Sequence, residues 1–147
     1  MKTVYGPVAS WRLGKSLGVN LICSPKKICS FDCIYCQLEK TEKITSKRDA
    51  FVSINKVREE VKNVIEHTTP DVITFSGMGE PTLANNMHEA IETIRELTNI
   101  PLAILTNSSL LYDENVQKTL HNLDIIVAKL DAPNQEFFQK ISHPAEG

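Results

Sequence analysis

Apolar residues recur along this chain with a helical period in some segments. The apolar positions 54, 57, 61, 64 and 65 share one face of a predicted helix that Ser53 caps and Pro70 ends. Positions 87, 90, 91, 94 and 97 predict a second helix, and positions 116, 120 and 123 predict a shorter one capped by Asp113. A final helical turn is predicted over residues 137–141.

Short, continuous apolar runs between these helices predict strands at residues 72–75, 102–106 and 125–130, with a first strand at 17–22. Strands that alternate with amphipathic helices are typical of βαβ units around a parallel sheet. We therefore predict an α/β fold of four β/α units, with a charged loop at residues 39–49. A closed barrel of eight units takes about 250 residues, so the predicted sheet is open or incomplete.

The composition is that of an ordinary globular domain, with 41% hydrophobic and 23% charged residues among 147. The sequence has no run of about 18 apolar residues and no apolar signal segment, so we expect a cytoplasmic protein with no membrane partner. A chain of this length buries roughly 68–70% of its unfolded surface without disulfides or zinc. Its four cysteines therefore need another explanation.

Charge is distributed unevenly along the chain. Residues 1–50 hold nine Lys or Arg and four Asp or Glu, whereas residues 51–147 hold seven and fourteen. The basic segment suits nucleic acid, an anionic small molecule or an anionic metal cluster, and an unevenly charged solvated surface explains it equally well. Lys26 and Lys27 lie just before the densest group of cysteines, a position that suits moderating an anionic cluster or receiving an electron-donor protein. We expect them to form a solvated pair instead.

Cys29, Cys33 and Cys36 form a CxxxCxxC loop after the first predicted strand, and Cys23 lies six residues upstream. Thiolates are soft ligands that select zinc or iron–sulfur clusters. Two alternatives use all four cysteines: a [4Fe-4S] electron-transfer protein and a zinc-stabilised binding module. A disulfide is disfavoured in the cytosol, and a redox pair of Cys33 and Cys36 leaves Cys29 without a role.

The cysteine loop resembles the signature of the radical S-adenosylmethionine (radical SAM) enzymes, including an aromatic residue, Tyr35, before the third cysteine. The resemblance implies that Cys29, Cys33 and Cys36 hold a [4Fe-4S] cluster, that a further iron chelates S-adenosyl-L-methionine (SAM), and that Tyr35 packs near the adenine. It implies reductive cleavage of SAM to a 5′-deoxyadenosyl radical that acts on an unknown substrate, with flavodoxin or ferredoxin as electron donor. Cys23 is then spare and is expected to be a small buried residue.

The turn Gly77-Met78-Gly79-Glu80-Pro81 follows a predicted strand, at the end where parallel sheets bind ligands. It resembles the family's Gly-Gly-Glu-Pro segment, with Met78 in place of the first glycine. The resemblance assigns the methionine ammonium to this turn. The glycines allow close approach of the main chain, Glu80 accepts a hydrogen bond from the ammonium, and Pro81 stiffens the turn.

Four further candidates follow the next two predicted strands: Asn107, Ser108, Lys129 and Asp131. The resemblance implies that these residues contact the ribose, the carboxylate or the substrate. Turn and cap residues are the alternative explanation for each of them.

Residues 6–20 resemble a subgroup of Fe–S oxidoreductases related to the enzymes that make the wybutosine base of transfer RNA, although Trp11 replaces an arginine common there. Those enzymes carry a second cluster upstream, for which only Cys23 is present here, so RNA stays open as a substrate but is not favoured. Superfamily members have about six β/α units in a TIM-barrel-like partial barrel. We therefore expect residues 1–147 to be a radical SAM core domain truncated at its carboxyl terminus. The four histidines have no ligand spacing and are expected at the surface.

Overall fold

The computed structural model describes residues 1–146, which contain a sheet of five strands. In chain order, which is also their order across the sheet, these are β1 (Val4–Ser10), β2 (Gly14–Val19), β5 (Val72–Phe75), β6 (Leu102–Thr106) and β7 (Ile125–Ala128). Strands β2, β5, β6 and β7 are parallel, and β1 is antiparallel to β2. Two short strands, β3 (Ile28–Cys29) and β4 (Lys43–Ile44), pair with each other beside the sheet.

Each parallel strand is followed by a helix: α1 (Ile54–Ile65), α2 (Met87–Leu97), α3 (Glu114–Leu120) and α4 (Gln135–Ser142). Two of the predicted caps are present. Ser53 accepts a hydrogen bond from the Lys56 backbone N–H at 3.4 Å, and Asp113 accepts one from Asn115 at 2.7 Å. The predicted α/β class and the four β/α units are thereby confirmed.

One face of the sheet forms the apolar core. Alternate residues of the three central strands point toward the helices and are fully buried, at 0% exposure: Leu17, Val19, Ile73, Phe75, Leu102 and Ile104. Burial of one such side chain contributes about 1.5–3 kcal/mol relative to leaving it exposed. The opposite face carries smaller and more polar residues, such as Ser16 and Thr74, whose hydroxyls lie 2.7 Å apart. The helices therefore hold the sheet from one side and leave its carboxyl edge for other groups.

The amino-terminal third differs from the prediction. The first parallel strand spans residues 14–19 rather than 17–22, and β1 was not predicted at all. Strand β1 has no apolar run, because it contains Gly6 and Pro7 and mostly faces solvent, and its pairing with β2 is a tertiary contact. The predicted loop at residues 39–49 contains β4, and the last predicted strand ends at Ala128 rather than at 130.

The histidines and the edge of the sheet lie at the surface, as expected. All four histidines are exposed. Strand β7 forms an open edge of the described sheet, where Ile125 and Ile126 are 37% and 46% exposed. None of the helices within residues 1–146 has the length and apolar character that a membrane crossing needs.

Candidate functional site

A cavity of about 500 Å³ lies where the cysteine loop crosses the carboxyl ends of β5, β6 and β7. Eight of the predicted site residues line it: Cys29, Cys33, Tyr35, Cys36, Gly77, Gly79, Asn107 and Lys129. A larger cavity of about 1110 Å³ lies between β4 and α4, and its lining includes none of the cysteines. We place the site in the smaller cavity, because it is there that the residues with metal-binding and cofactor-binding chemistry meet.

Helix α4 holds the cysteine loop by its backbone. The Asp32 N–H donates to the Ser142 carbonyl at 2.8 Å, and the Ile34 N–H donates to the Ile141 carbonyl at 3.0 Å. These carbonyls belong to the last turn of α4, where carbonyl groups have no partner within the helix. The loop thus satisfies the helix end, and the helix end fixes the position of the loop.

Aromatic packing and an acidic side chain add to this support. The rings of Phe31 and Phe138 pack edge to face, with centroids 5.1 Å apart. On the other side of the loop, the Thr41 N–H donates to Asp32 Oδ1 at 2.7 Å and the Thr41 hydroxyl donates to the Phe31 carbonyl at 2.8 Å. The hydrogen bond from the Thr41 N–H lowers the pKa of Asp32 below its ordinary value.

Cys29 is the most enclosed of the three loop cysteines. Burial raises the pKa of its thiol, more than the hydrogen bond from the loop backbone at Phe31 and the nearby charge of Lys27 lower it. The Asn107 amide Nδ2 lies 3.7 Å from Cys29 Sγ and 2.9 Å from Ser30 Oγ. An amide donor beside a sulfur is the kind of group that tunes a bound iron–sulfur cluster.

Cys23 is separated from the other three cysteines. It does not line the cavity that they share. Its Sγ accepts a hydrogen bond from the Thr3 hydroxyl at 3.7 Å, and the side chain is half-buried rather than buried as expected. The structure therefore brings together three thiols, not four.

The expectation of a solvated lysine pair is wrong for one member. Lys26 is exposed and forms an ion pair with Glu42, whereas Lys27 is only 5% exposed. The Lys27 carbonyl accepts from the N–H groups of Glu42 and Lys43 at 3.1 and 3.3 Å, which draws this residue under the loop. The residue lines the cavity, and its ammonium donates to the Glu39 carbonyl at 3.2 Å.

The glycines of the turn allow it to pack against the chain before the cysteines. Gly79 has φ +131°, and a Cβ there would lie 1.7 Å from the Ile28 carbonyl oxygen. Gly77 has φ +147°, and a Cβ there would lie 2.5 Å from the Asn20 side chain. Asn20 is itself buried and accepts from the Met78 N–H at 3.2 Å. The need for glycine thus has a packing cause in this structure, in addition to the predicted approach of a ligand.

Glu80 lies behind the turn at 2% exposure. Its Oε1 accepts from the Thr82 N–H at 3.2 Å and from the hydroxyls of Thr82 and Thr106 at 2.6 Å each. Its Oε2 accepts from the Asn107 N–H at 2.7 Å. Pro81 begins the short 3₁₀ turn Pro81–Leu83 that this carboxylate caps. Glu80 therefore joins the ends of β5 and β6, and its predicted contact with an ammonium stays a prediction.

Tyr35, Lys129 and Asp131 form one polar cluster at the end of β7. The Tyr35 hydroxyl donates to the Asp131 carboxylate, and Lys129 Nζ donates to the Tyr35 oxygen at 3.2 Å. The same ammonium lies 4.4 Å from the centre of the Tyr35 ring. Burial, and then the hydrogen bond to Asp131, raises the pKa of Tyr35 well above its ordinary range. The predicted contact of Tyr35 with an adenine stays a prediction.

Ser108 and Asp131 line a neighbouring cavity of about 290 Å³, together with Asn107 and Lys129. Ser108 has φ +71°, and its hydroxyl donates to the Lys129 carbonyl at 2.7 Å. The two strand ends predicted to carry site residues are thus joined directly to each other.

Asn20, Ser30 and Thr106 were not predicted as site residues, and Lys27 was expected in solvent. Thr106 directly precedes the predicted Asn107, and Ser30 lies inside the cysteine motif, so their positions were a usable signal. The roles of Asn20 and Lys27 depend on how the cysteine loop folds back over the turn, which the pattern along the chain does not contain.

The side chains suit an iron–sulfur cluster better than a single metal ion. Within residues 1–146, no three His, Cys, Asp or Glu side chains come close enough together to hold one ion. A four-iron cluster makes a different demand, because each thiolate binds its own iron. Three thiols around one cavity, with an amide donor at one sulfur, fit that demand.

Parallel βα units with a thiol-lined cavity at the carboxyl edge of the sheet define a partial βα barrel of the kind that binds a cofactor at its strand ends. Residues 24–146 match the radical SAM superfamily, and the chain belongs to that superfamily.

Some known proteins are similar to this chain over more residues than the matched range 24–146. The chain is 41% identical over 147 residues to a UPF0026 protein of Methanocaldococcus jannaschii, covering 98% of this chain and 45% of that protein. It is 40% identical over 144 residues to a protein of Brachyspira hyodysenteriae named GTPase Obg, covering 97% of this chain and 21% of that protein. It is 30% identical over 118 residues to a probable GTP 3′,8-cyclase of Saccharolobus islandicus, covering 78% of this chain and 35% of that protein. The chain thus spans less than half the length of each of these relatives.

Proposed function

We propose that this chain is the core domain of a radical SAM enzyme that holds a [4Fe-4S] cluster through Cys29, Cys33 and Cys36. When bound, the cluster and SAM supply reductive cleavage of the sulfonium to a 5′-deoxyadenosyl radical, which acts on a substrate still to be identified. Membership of the superfamily and the 30% identity to a probable GTP 3′,8-cyclase support an enzyme of this type.

One observation carries this proposal. Three thiols, the glycine turn and the ends of β6 and β7 line a single cavity, although more than ninety residues of sequence separate Cys36 from Lys129. The separation of Cys23 from that cavity weighs against the electron-transfer alternative, because a carrier with four cysteine ligands needs all four together.

Different residues of the chain are proposed to bind different parts of SAM. In this proposal the turn at Gly77 and Gly79 receives the methionine end of SAM. Glu80 has one hydrogen bond at Oε2, which leaves that oxygen able to accept from the ammonium. Asn107 and Lys129 are the candidates for the ribose and the carboxylate, and Tyr35 is the candidate for the adenine.

The partners of the reaction are also part of the proposal. We propose flavodoxin or ferredoxin as the electron donor. That residues 6–20 relate this chain to the wybutosine-related subgroup stays a hypothesis about ancestry. No residue of the cavity singles out a substrate class, and RNA is not favoured.

Anaerobic reconstitution with iron and sulfide, followed by electron paramagnetic resonance of the reduced protein with and without SAM, tests the proposal. We expect a [4Fe-4S]⁺ signal that shifts when SAM is added. Cys33→Ser should abolish the signal, and Cys23→Ser, the matched control, should retain it with its shift. A signal lost in Cys23→Ser would favour the four-cysteine carrier, and one zinc per chain without a cluster would exclude the radical SAM function.

A further inference from the structure

Lys27 is a buried lysine with few partners of its own in the protein. Only 5% of the residue is exposed, and its one hydrogen bond is to the Glu39 carbonyl, at 3.2 Å. Within residues 1–146, no carboxylate lies within 4 Å of the ammonium, which has three N–H groups to donate. A buried ammonium is unfavourable unless an anion or several acceptors surround it.

The position of Lys27 indicates which anion would compensate it. The residue lies two positions before Cys29, and it lines the cavity that Cys29 and Cys33 share. Its neighbour Lys26 points to solvent instead and pairs with Glu42. Of two adjacent lysines, the fold therefore turns one toward the thiols.

We propose that the Lys27 ammonium compensates the negative charge of the iron–sulfur cluster and helps to set its reduction potential. This inference rests on the proposed function, since it requires a cluster at Cys29, Cys33 and Cys36. It assigns Lys27 as a positioning residue that acts through electrostatics and forms no bond to iron.

The sign of the effect follows from charge. Three thiolates and a [4Fe-4S]²⁺ core carry a net charge of −1, and one electron from the reductant makes this −2. A fixed positive charge nearby stabilises the reduced state more than the oxidised state, and a poorly solvated site strengthens that difference.

The main test is a redox titration of the reconstituted protein with dithionite, followed by electron paramagnetic resonance. Lys27→Gln keeps a polar side chain but removes the charge. We expect it to lower the equilibrium constant for reduction about tenfold, which is a shift of ~59 mV to more negative potential for one electron. Lys27→Arg should stay close to the original protein, and Lys26→Gln, the matched control, should change the equilibrium constant less than about twofold.

A second test compares the apo protein with the reconstituted protein. In the apo protein, Lys27→Met removes a buried ammonium that has one hydrogen bond, so we expect the thermal midpoint of unfolding to rise. In the reconstituted protein, the same change should increase the rate at which iron is lost. A merely structural lysine would lower the apo midpoint instead, and that result would overturn the inference.

The outcomes separate the two proposals. If the original protein takes up no [4Fe-4S] cluster, the proposed function fails and this inference fails with it. If the cluster forms and shifts with SAM, but Lys27→Gln leaves the potential unchanged, only the inference fails. A loss of the SAM-induced shift without a change in potential would assign Lys27 to SAM and would also overturn it.

Discussion

The two sides of the candidate cavity are built in different ways. On the turn side, the Glu80 carboxylate accepts four hydrogen bonds from three residues of adjoining segments, and the glycines pack closely against Asn20 and Ile28. On the cysteine-loop side, the backbone is held by α4 and by Thr41, while Cys29 and Lys27 are buried with few partners.

The turn side therefore needs no ligand to satisfy its polar groups, whereas the cysteine-loop side would gain partners from a bound group. The turn side satisfies its buried polar groups internally, so it keeps its shape before any ligand binds. The loop side contains a buried thiol with a raised pKa, whose thiolate iron would stabilise by binding it, and a buried ammonium with one hydrogen bond, which the net negative charge of a cluster would stabilise. Substitutions on the turn side should therefore affect folding first, and those on the loop side should affect cluster binding first.

The largest effect on folding is expected for Glu80→Gln. A glutamine of the same size presents an NH₂ group to one of the four donors and leaves donors unpaired in a buried site. We expect a loss of about 2 kcal/mol in the free energy of unfolding of the apo protein, because a hydrogen bond to a buried charged group contributes about 1.5–3 kcal/mol. Urea unfolding measures this loss.

The control for that change is Glu42→Gln. Glu42 pairs with Lys26, and both side chains are about half exposed or more, at 49% and 65%. An exposed pair of this kind contributes less than about 1 kcal/mol. Equal losses for the two substitutions would show that the Glu80 network does not hold the turn side together.

A smaller effect is expected where α4 supports the cysteine loop. Phe138→Ala removes the edge-to-face contact with Phe31, so we expect a loss of about 1 kcal/mol, within the range for aromatic pairs. Hydrogen exchange should quicken at the amides of Asp32 and Ile34, which donate to the end of α4. The exchange can be followed by mass spectrometry of the loop peptide.

Phe137 offers the matched control for that substitution. It lies beside Phe138 in the same helix but is 47% exposed. Phe137→Ala should leave exchange in the cysteine loop unchanged. If both variants speed hydrogen exchange in the cysteine loop equally, the stability of α4 rather than the contact with Phe31 supports the loop.

Much of the site was predictable because its chemistry lies at fixed positions relative to the strands. Gly79, Glu80 and Asn107 each follow an apolar run, and parallel strands bring their carboxyl ends to one edge. The spacing of the cysteines was sufficient to recognise their motif. For these residues, local pattern and fold topology agree.

What could not be predicted depends on contacts across the chain. Lys26 and Lys27 are identical in type and adjacent, and only the fold of the loop over residues 39–43 buries one of them. Strand β1 exists because β2 pairs with it, not because of its own apolar pattern. The charge of Glu80 suits an ammonium, and the motif alone predicts that contact. The hydrogen bonds that Glu80 accepts from threonine hydroxyls depend on the fold, so the motif does not predict them.

The smallest expected effect is a dependence on pH at Asp32. Its folded pKa lies below the ordinary value of 3.8, mainly because the Thr41 N–H donates to it. A lowered pKa contributes stability above the unfolded value, and that contribution is lost as pH falls through the folded value. Asp32→Asn should therefore be slightly less stable than the original protein at pH 7, with the difference shrinking below pH 3.8. Urea unfolding across this range measures it.

Asp124→Asn provides a comparison at the opposite, amino end of the strands. The Leu102 N–H and Arg95 lower the pKa of Asp124 in the same way, so its loss of stability should follow the same dependence on pH. The two variants should differ in cluster binding, because Asp32 lies between Cys29 and Cys33 whereas Asp124 lies at the amino end of β7. Slower uptake of iron and sulfide in Asp32→Asn alone would support the assignment of cluster binding to the cysteine-loop side. Equally slow uptake in both variants would show instead that the loss of stability alone slows cluster binding.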